Sequence, residues 1–327
     1  MSTALKPSAL RQALEVCVKA KRPACVWGSP GIGKSDTMKQ MAEELSRQLI
    51  DLRAVLLDPV DLRGLPTVKD GLSKWAIPSF LPREGTGILF LDELNRAPAL
   101  VQNACFQLVL DRKLGEYVLP EDWTIVAACN PTGTGTTKMS DALASRFVHF
   151  DMEPDLTDWC NWAVSRNIEP IVIAFLRFRP ELLHQYDVKL RSFPCPRTWE
   201  FVSQITASSP AREIEHALYV GAVGEGAAVE YSAFMKLFRE LPSIDAILLD
   251  PVKSPVPSQP STLFAIASAL ARRVNDGNFG RAVTYLNRLP AEYMVMSIKD
   301  AVTRDKTLCS TPEFTKWATA NQEFFAK

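Results

Sequence analysis

One stretch decides the fold of this chain: Gly28-Ser29-Pro30-Gly31-Ile32-Gly33-Lys34-Ser35. It fits the pattern G-x-x-x-x-G-K-[ST] at every fixed position. Before it, Pro23 to Trp27 is short and apolar like a buried strand, and after it Asp36 to Leu49 has helical spacing. Glycines let the backbone curl around a phosphate chain, and the following helix adds its positive end. We therefore expect a phosphate-binding loop in which Lys34 contacts the β- and γ-phosphates of a nucleotide and Ser35 ligates Mg²⁺.

Composition excludes several classes of function. The chain has 37 Lys and Arg against 37 Asp and Glu, so no overall field draws it to nucleic acid or to an anionic membrane. Its seven cysteines are scattered without a C-x-x-C pair, which indicates a reducing compartment and no metal site. No apolar run approaches the length needed to span a bilayer. We expect a cytoplasmic protein with no membrane partner.

A second chemical signal follows an apolar run. Gly87 to Leu91 is apolar and ends in Asp92 and Glu93. Buried parallel strands have this composition, and ligands collect at their carboxyl ends. Asp92 is then the expected Mg²⁺ ligand, and Glu93 the residue that polarises an attacking water. Acids after a strand can also be helix caps, and the phosphate loop upstream favours the catalytic interpretation.

The first half of the chain predicts a three-layer α/β domain with a five-stranded parallel sheet. The predicted strands are residues 23–27, 52–57, 87–91, 124–129 and 146–150. Residues 64–82 are too rich in proline and glycine for one helix, and predict a projecting insertion. Alternation around Gly115 in residues 112–119 predicts a small hairpin.

After residue 155 the pattern becomes helical throughout. Residues 159–164, 171–178, 197–205, 212–219 and 227–241 predict helices, and further helices are predicted after residue 263. Between the two groups, the proline-rich residues 251–260 predict a linker or loop.

These residues together resemble the MoxR-type AAA+ ATPases of the helix-2-insert group. The matching segments are Gly28 to Ser35 (Walker A), Leu89 to Glu93 continued as Leu94-Asn95-Arg96-Ala97-Pro98 (Walker B), Asn130 (sensor 1), Arg146 in Ser145-Arg146-Phe147 (arginine finger), and Arg197 in Pro196-Arg197-Thr198-Trp199 (sensor 2). The resemblance implies an ATPase core at 1–154, with the insert at about 64–82 and a hairpin at about 111–120. It implies a helical lid at 155–250, followed by a proline-rich linker and helical extension at 251–327.

The resemblance also implies a function. Family members hydrolyse ATP with Mg²⁺ in a homo-oligomeric ring, expected here to be a hexamer, and remodel or activate a protein partner like a chaperone. The partner commonly carries a von Willebrand factor A domain. The nucleotide would be bound by residues Gly28, Ser29, Pro30, Gly31, Ile32, Gly33, Lys34, Ser35 and Asp92, of which Ser35 and Asp92 would hold the metal. Glu93, Asn130, Arg146 and Arg197 would be catalytic. The long helical tail departs from the family pattern.

Residue chemistry agrees with this resemblance. Phosphoryl transfer needs positioning and charge stabilisation rather than a nucleophilic side chain. Asn130, at a strand end, can hydrogen-bond both the γ-phosphate and the water. Arg146 precedes a strand on the far side of the core, so we expect it to act across a subunit interface. The alternative role for Arg146 is a surface salt bridge. Arg96 could also face the neighbouring nucleotide, and Arg197 could contact either its own or the adjacent one.

Three other functions fit the sequence less well. A nucleic-acid motor or loader of the same group is the alternative, although zero net charge and the lack of a basic stripe count against it. A monomeric small-molecule kinase would leave Arg146 and the helical tail without a role. A GTPase is disfavoured because no N-K-x-D segment appears.

Overall fold

The structure is a computed structural model that describes residues 4–131, 133 and 136–322. The chain divides into two compact units, Met1–Asp155 and Leu156–Lys327. No helix in the described part of the chain is long and apolar enough to cross a bilayer.

The first unit is built on a parallel sheet. Its elements in chain order are α1 (Pro7–Lys19), β1 (Ala24–Trp27), α2 (Lys34–Glu44), β2 (Gln48–Arg53), α3 (Pro59–Arg63), β3 (Leu65–Lys69), β4 (Leu72–Ala76), β5 (Gly87–Asp92), α4 (Ala99–Asp111), β6 (Lys113–Leu114), β7 (Tyr117–Val118), β8 (Trp123–Cys129), α5 (Asp141–Ala144) and β9 (Val148–Asp151). The sheet has the strand order β2-β5-β8-β1-β9, and every pairing in it is parallel. The predicted five-stranded parallel sheet is therefore confirmed.

Helices cover both faces of this sheet. Alternate side chains of a strand point to opposite faces, so Cys25 packs into one core and Val26 into another. One core contains Leu10 of α1 and Met38 of α2, and the other contains Val101 of α4. Burial on both faces explains why β5 and β8 read as continuous apolar runs.

Two predicted boundaries near β2 are wrong. The helix predicted to run to Leu49 ends at Glu44, and the strand predicted at 52–57 lies at Gln48–Arg53. Ser46 has φ 51°, the left-handed conformation that ends many helices, and the N–H of Arg47 donates to the carbonyl of Ala42. Glycine usually marks such an ending in a sequence, and here a serine adopts it.

The insertion contains a hairpin that the sequence did not reveal. Strands β3 and β4 pair in antiparallel register, and every residue of both is exposed. Asp70 and Gly71 join them with φ 54° and 73°, as a two-residue turn between twisted strands requires. The hairpin predicted at 112–119 is present as β6 and β7.

The second unit is helical in its described residues. Its helices are α6 (Leu156–Ser165), α7 (Pro170–Phe178), α8 (Pro196–Ala207), α9 (Arg212–Val223), α10 (Glu225–Arg239), α11 (Ile244–Leu249), α12 (Pro260–Arg273), α13 (Phe279–Leu286), α14 (Ala291–Arg304) and α15 (Pro312–Ala320). The proline-rich stretch is a loop held by side chains, because Tyr285 donates to the carbonyl of Pro255 and Arg288 to those of Pro251 and Ser254. The sequence predicts a boundary between the lid and the extension at residue 251. This position lies inside the second unit, and the boundary stays a prediction.

A buried ion pair joins the helices on either side of the proline-rich loop. Arg177 of α7 donates to both carboxylate oxygens of Asp300 in α14, at 2.6 and 2.8 Å. Burial by itself lowers the pKa of Arg177. The interaction with Asp300 more than offsets the effect of burial, and the pKa is raised overall. Only 13% of the Arg177 side chain and 10% of the Asp300 side chain is exposed. Water therefore hydrates neither charge well, and each depends on its partner.

We predict that Arg177→Met lowers the free energy of unfolding by about 3 kcal/mol, because it leaves the Asp300 carboxylate buried without its partner. Arg273→Met is the matched control, since Arg273 pairs with Asp245 at 2.9 Å while both side chains are more than half exposed, at 60 and 64%. It should cost less than about 1 kcal/mol. Urea unfolding followed by circular dichroism measures both, and equal losses would contradict the prediction.

Candidate functional site

Parallel register brings three chain segments to one edge of the sheet. Trp27 at the end of β1 lies beside Cys129 at the end of β8, and Leu91 of β5 lies beside Ala127 of β8. The phosphate loop follows β1, Asn130 follows β8, and Asp92 is the last residue of β5. The predicted site residues of the first unit, apart from Arg146, therefore lie at the carboxyl edge of the sheet, where α/β folds bind ligands.

The loop geometry suits a phosphate. Gly31 and Gly33 have φ 78° and 95°, and α2 begins at the next residue, Lys34. The Lys34 ammonium donates to the loop carbonyls of Gly28 at 2.7 Å and Ser29 at 3.1 Å, and to Asn130 Oδ1 at 2.9 Å. A helix N-terminus and an ammonium directed into the same loop form a site for phosphate oxygens.

Two oxygen ligands lie together beside the loop. Ser35 Oγ donates to Asp92 Oδ2 at 2.8 Å, so a hydroxyl and a carboxylate of the type that Mg²⁺ prefers are adjacent. Partial desolvation, followed by repulsion from Asp92, raises the pKa of Asp51 on the neighbouring strand β2. A bound cation would relieve that repulsion. The donor set therefore fits a magnesium ion held by Ser35 and Asp92.

Glu93 lies on a tight turn directly after Asp92, the predicted metal ligand. Its φ of 55° is left-handed, which is uncommon for a residue with a side chain, and its N–H donates to Asp92 Oδ1 at 2.9 Å. Its carboxylate lies 3.3 Å from Nη1 of Arg96, one 3₁₀ turn along the chain. Arg96 thus contacts the residue predicted to polarise water. Its Nε is buried without a hydrogen-bond partner in the described part of the chain.

Asn95 is a site residue to which sequence analysis assigned no role. Its side chain donates to the carbonyl of Asn130 at 2.7 Å and accepts from the N–H of Asn130 at 3.1 Å. The residue is 1% exposed. Its position two residues after Glu93 was the available signal, and its partner 35 positions away could not be identified from the sequence.

Arg146 lies away from the phosphate loop. Strand β9 runs parallel to β1 and begins with Val148 beside Ala24, so Arg146 lies at the amino end of the strands and the loop at their carboxyl end. Four residues of β1 span about 13 Å. Arg146 is exposed, donates to Ser145 Oγ and lies 5.5 Å above the ring of Phe106. Among the described residues it forms no salt bridge with a carboxylate.

Arg197 belongs to the second unit. It is exposed in the first turn of α8, next to the buried Pro196 and two residues before the fully buried Trp199. The helix is thus fixed by its own core while the guanidinium faces solvent.

We predict that Gly33→Ala lowers ATP affinity at least tenfold, because φ 95° is unfavourable for alanine and the loop must change shape. Gly71→Ala is the matched control, since Gly71 also has positive φ, 73°, and open space around its Cβ. Both variants should lose about 1 kcal/mol of stability. Binding of a fluorescent ATP analogue should weaken only in the first, and similar affinities in both would contradict the site.

Comparisons with known proteins agree with this geometry. Residues 23–147 match the family model for the AAA domain of the dynein-related subfamily. No curated protein sequence matched the chain.

Solved structures show weaker likeness. NtrX from Brucella abortus in complex with ATP is 14% identical over 92% of this chain and 69% of that one, with a TM-score of 0.46. A proposed ATPase from Cytophaga hutchinsonii is 14% identical over 91 and 81% of the chains, with a TM-score of 0.41. A variant of RuvB from Thermotoga maritima is 18% identical over 89 and 87%, with a TM-score of 0.40.

At these identities and TM-scores the three structures carry no information about activity or partners. The family match covers the phosphate loop, the acids after β5, and Asn130 and Arg146. Residues 23–147 of this chain therefore match an AAA domain on a P-loop NTPase fold, and the chain is an ATPase.

Proposed function

We propose that the protein is a MoxR-type AAA+ ATPase that works as a homo-oligomeric ring, expected to be a hexamer, and uses ATP hydrolysis to remodel or activate a protein partner. One observation supports the proposed ring. The groups expected to hold and hydrolyse ATP lie together at the carboxyl edge of the sheet, whereas Arg146 lies exposed at the amino end.

The chemistry proposed for the carboxyl edge is hydrolysis of the terminal phosphoanhydride. Lys34 holds the β- and γ-phosphate oxygens, and Ser35 and Asp92 hold Mg²⁺, which when bound offsets negative charge on the phosphates. Glu93 accepts a proton as water attacks the γ-phosphorus. The bond to the β,γ-bridging oxygen breaks and leaves ADP and phosphate. Asn130 is proposed to orient the water, and its amide oxygen accepts from Lys34 Nζ at 2.9 Å, which places it beside the phosphate loop.

Arg146 is proposed to act on the nucleotide of an adjacent subunit. A guanidinium near the γ-phosphate stabilises charge that develops during transfer and typically accelerates it 10³-fold or more. Arg146 lies at the opposite end of the strands from its own loop, and forms no ion pair with a carboxylate in the described residues. A second copy of this chain would supply what the site lacks. Arg197 is proposed to contribute from the lid, in its own or the adjacent subunit.

The identity of the partner rests on the resemblance. A protein with a von Willebrand factor A domain is the proposed partner, and the exposed hairpin β3–β4 is a surface that such a protein could contact. The alternative, a nucleic-acid motor, requires a positive surface, and the net charge of the chain is zero.

We predict that Glu93→Gln and Arg146→Ala each abolish ATP hydrolysis, and that mixing the two variants restores part of it. In a mixed ring, some sites combine an intact Glu93 with an intact Arg146 from the neighbour. Steady-state hydrolysis per subunit, measured over a dilution series of the native chain, should also rise with protein concentration.

Lys19→Ala is a suitable control, because Lys19 pairs with Glu15 on the exposed surface of α1 and should leave turnover unchanged. Native activity that is independent of concentration, together with full activity of Arg146→Ala, would refute the shared site. Stimulation by duplex DNA that disappears with added salt would instead favour the nucleic-acid motor.

A further inference from the structure

The turn after β5 is tied to the end of β8 by one buried side chain. Asn95 uses both ends of its amide on a single residue, donating to the carbonyl of Asn130 at 2.7 Å and accepting from its N–H at 3.1 Å. The carbonyl of Asn95 itself accepts from the N–H of Thr137 at 2.7 Å. At 1% exposure, no water competes for these hydrogen bonds.

The two segments joined by Asn95 carry different parts of the hydrolytic set. Glu93 lies two residues before Asn95, on a turn that keeps a left-handed φ of 55°. Asn130 directs its own amide oxygen to Lys34 at 2.9 Å. A left-handed residue with a side chain persists only where its surroundings hold it, and the buried hydrogen bonds of Asn95 supply such a restraint.

We propose that Asn95 is a positioning residue for ATP hydrolysis, which holds the Glu93 carboxylate and the Asn130 amide in register so that both act on one water. The inference rests on the proposed roles of Glu93 and Asn130. Asn95 makes no contact with nucleotide in this role and acts through its two neighbours.

The expected effect is on turnover and not on binding. Displacing a catalytic group by about 1 Å can lower a rate about a hundredfold, whereas the phosphate loop and Lys34 lie on other segments. Removing the Asn95 amide leaves the backbone N–H and carbonyl of Asn130 without their partners. The strand end can then shift, and with it the aim of both side chains.

The test measures kcat for ATP and the Kd of a non-hydrolysable ATP analogue in the full chain. For Asn95→Ala we expect kcat to fall about a hundredfold while the Kd changes less than threefold. Asn95→Leu retains a similar volume but has neither donor nor acceptor, and should show the same split even if the alanine variant folds poorly. A double-mutant cycle with Asn130→Ala should be strongly non-additive, because both changes disable the same group.

Gln102→Ala is the matched control. Gln102 is also a buried amide that donates to a backbone carbonyl, that of Ala97 at 3.0 Å, on the helix that follows the turn. It should lose stability without the loss in kcat. Unchanged kcat in a folded Asn95 variant, or full additivity with Asn130→Ala, would overturn the inference. Retention of full hydrolysis by Glu93→Gln would instead refute the proposed function, which separates the two failures.

Discussion

The parallel pairing of β1 with β8, and of β8 with β5, is the constraint on which the site depends. Each of these strands is followed directly by chemical groups: the phosphate loop after Trp27, Asn130 after Cys129, and Glu93 after Asp92. Antiparallel pairing would place neighbouring strand ends at opposite edges. Parallel pairing places them at one edge, and it requires helices to bury both faces of the sheet.

Polar contacts at that edge link each segment to the next. Lys34 contacts Asn130, Asn130 is held by Asn95, and Asn95 lies on the turn that carries Glu93. Ser35 reaches Asp92, which in turn accepts from the N–H of Glu93. Networks of this kind hold groups in place before a substrate arrives, which is how an enzyme stabilises charge without rearranging at each turnover.

The second unit shows how a predicted loop can belong to a packed structure. Its proline-rich stretch lacks regular structure, as composition indicates, and yet Tyr285 and Arg288 hold it by its carbonyls. Arg177 and Asp300 pair across the helices on either side of it. Segments far apart in sequence thus share one compact unit, and no local pattern announces this.

Patterns among neighbouring residues determined much of what the sequence alone could show. Glycine spacing and Lys34 define the phosphate loop, and an apolar run ending in Asp92 defines the strand that carries the acids, because these signals depend on neighbours in the chain. The tertiary structure decided what depends on distant neighbours: the partner of Asn95 and the pairing of Arg177 with Asp300. Residue types set the possible contacts, and only the packing of distant segments selects among them.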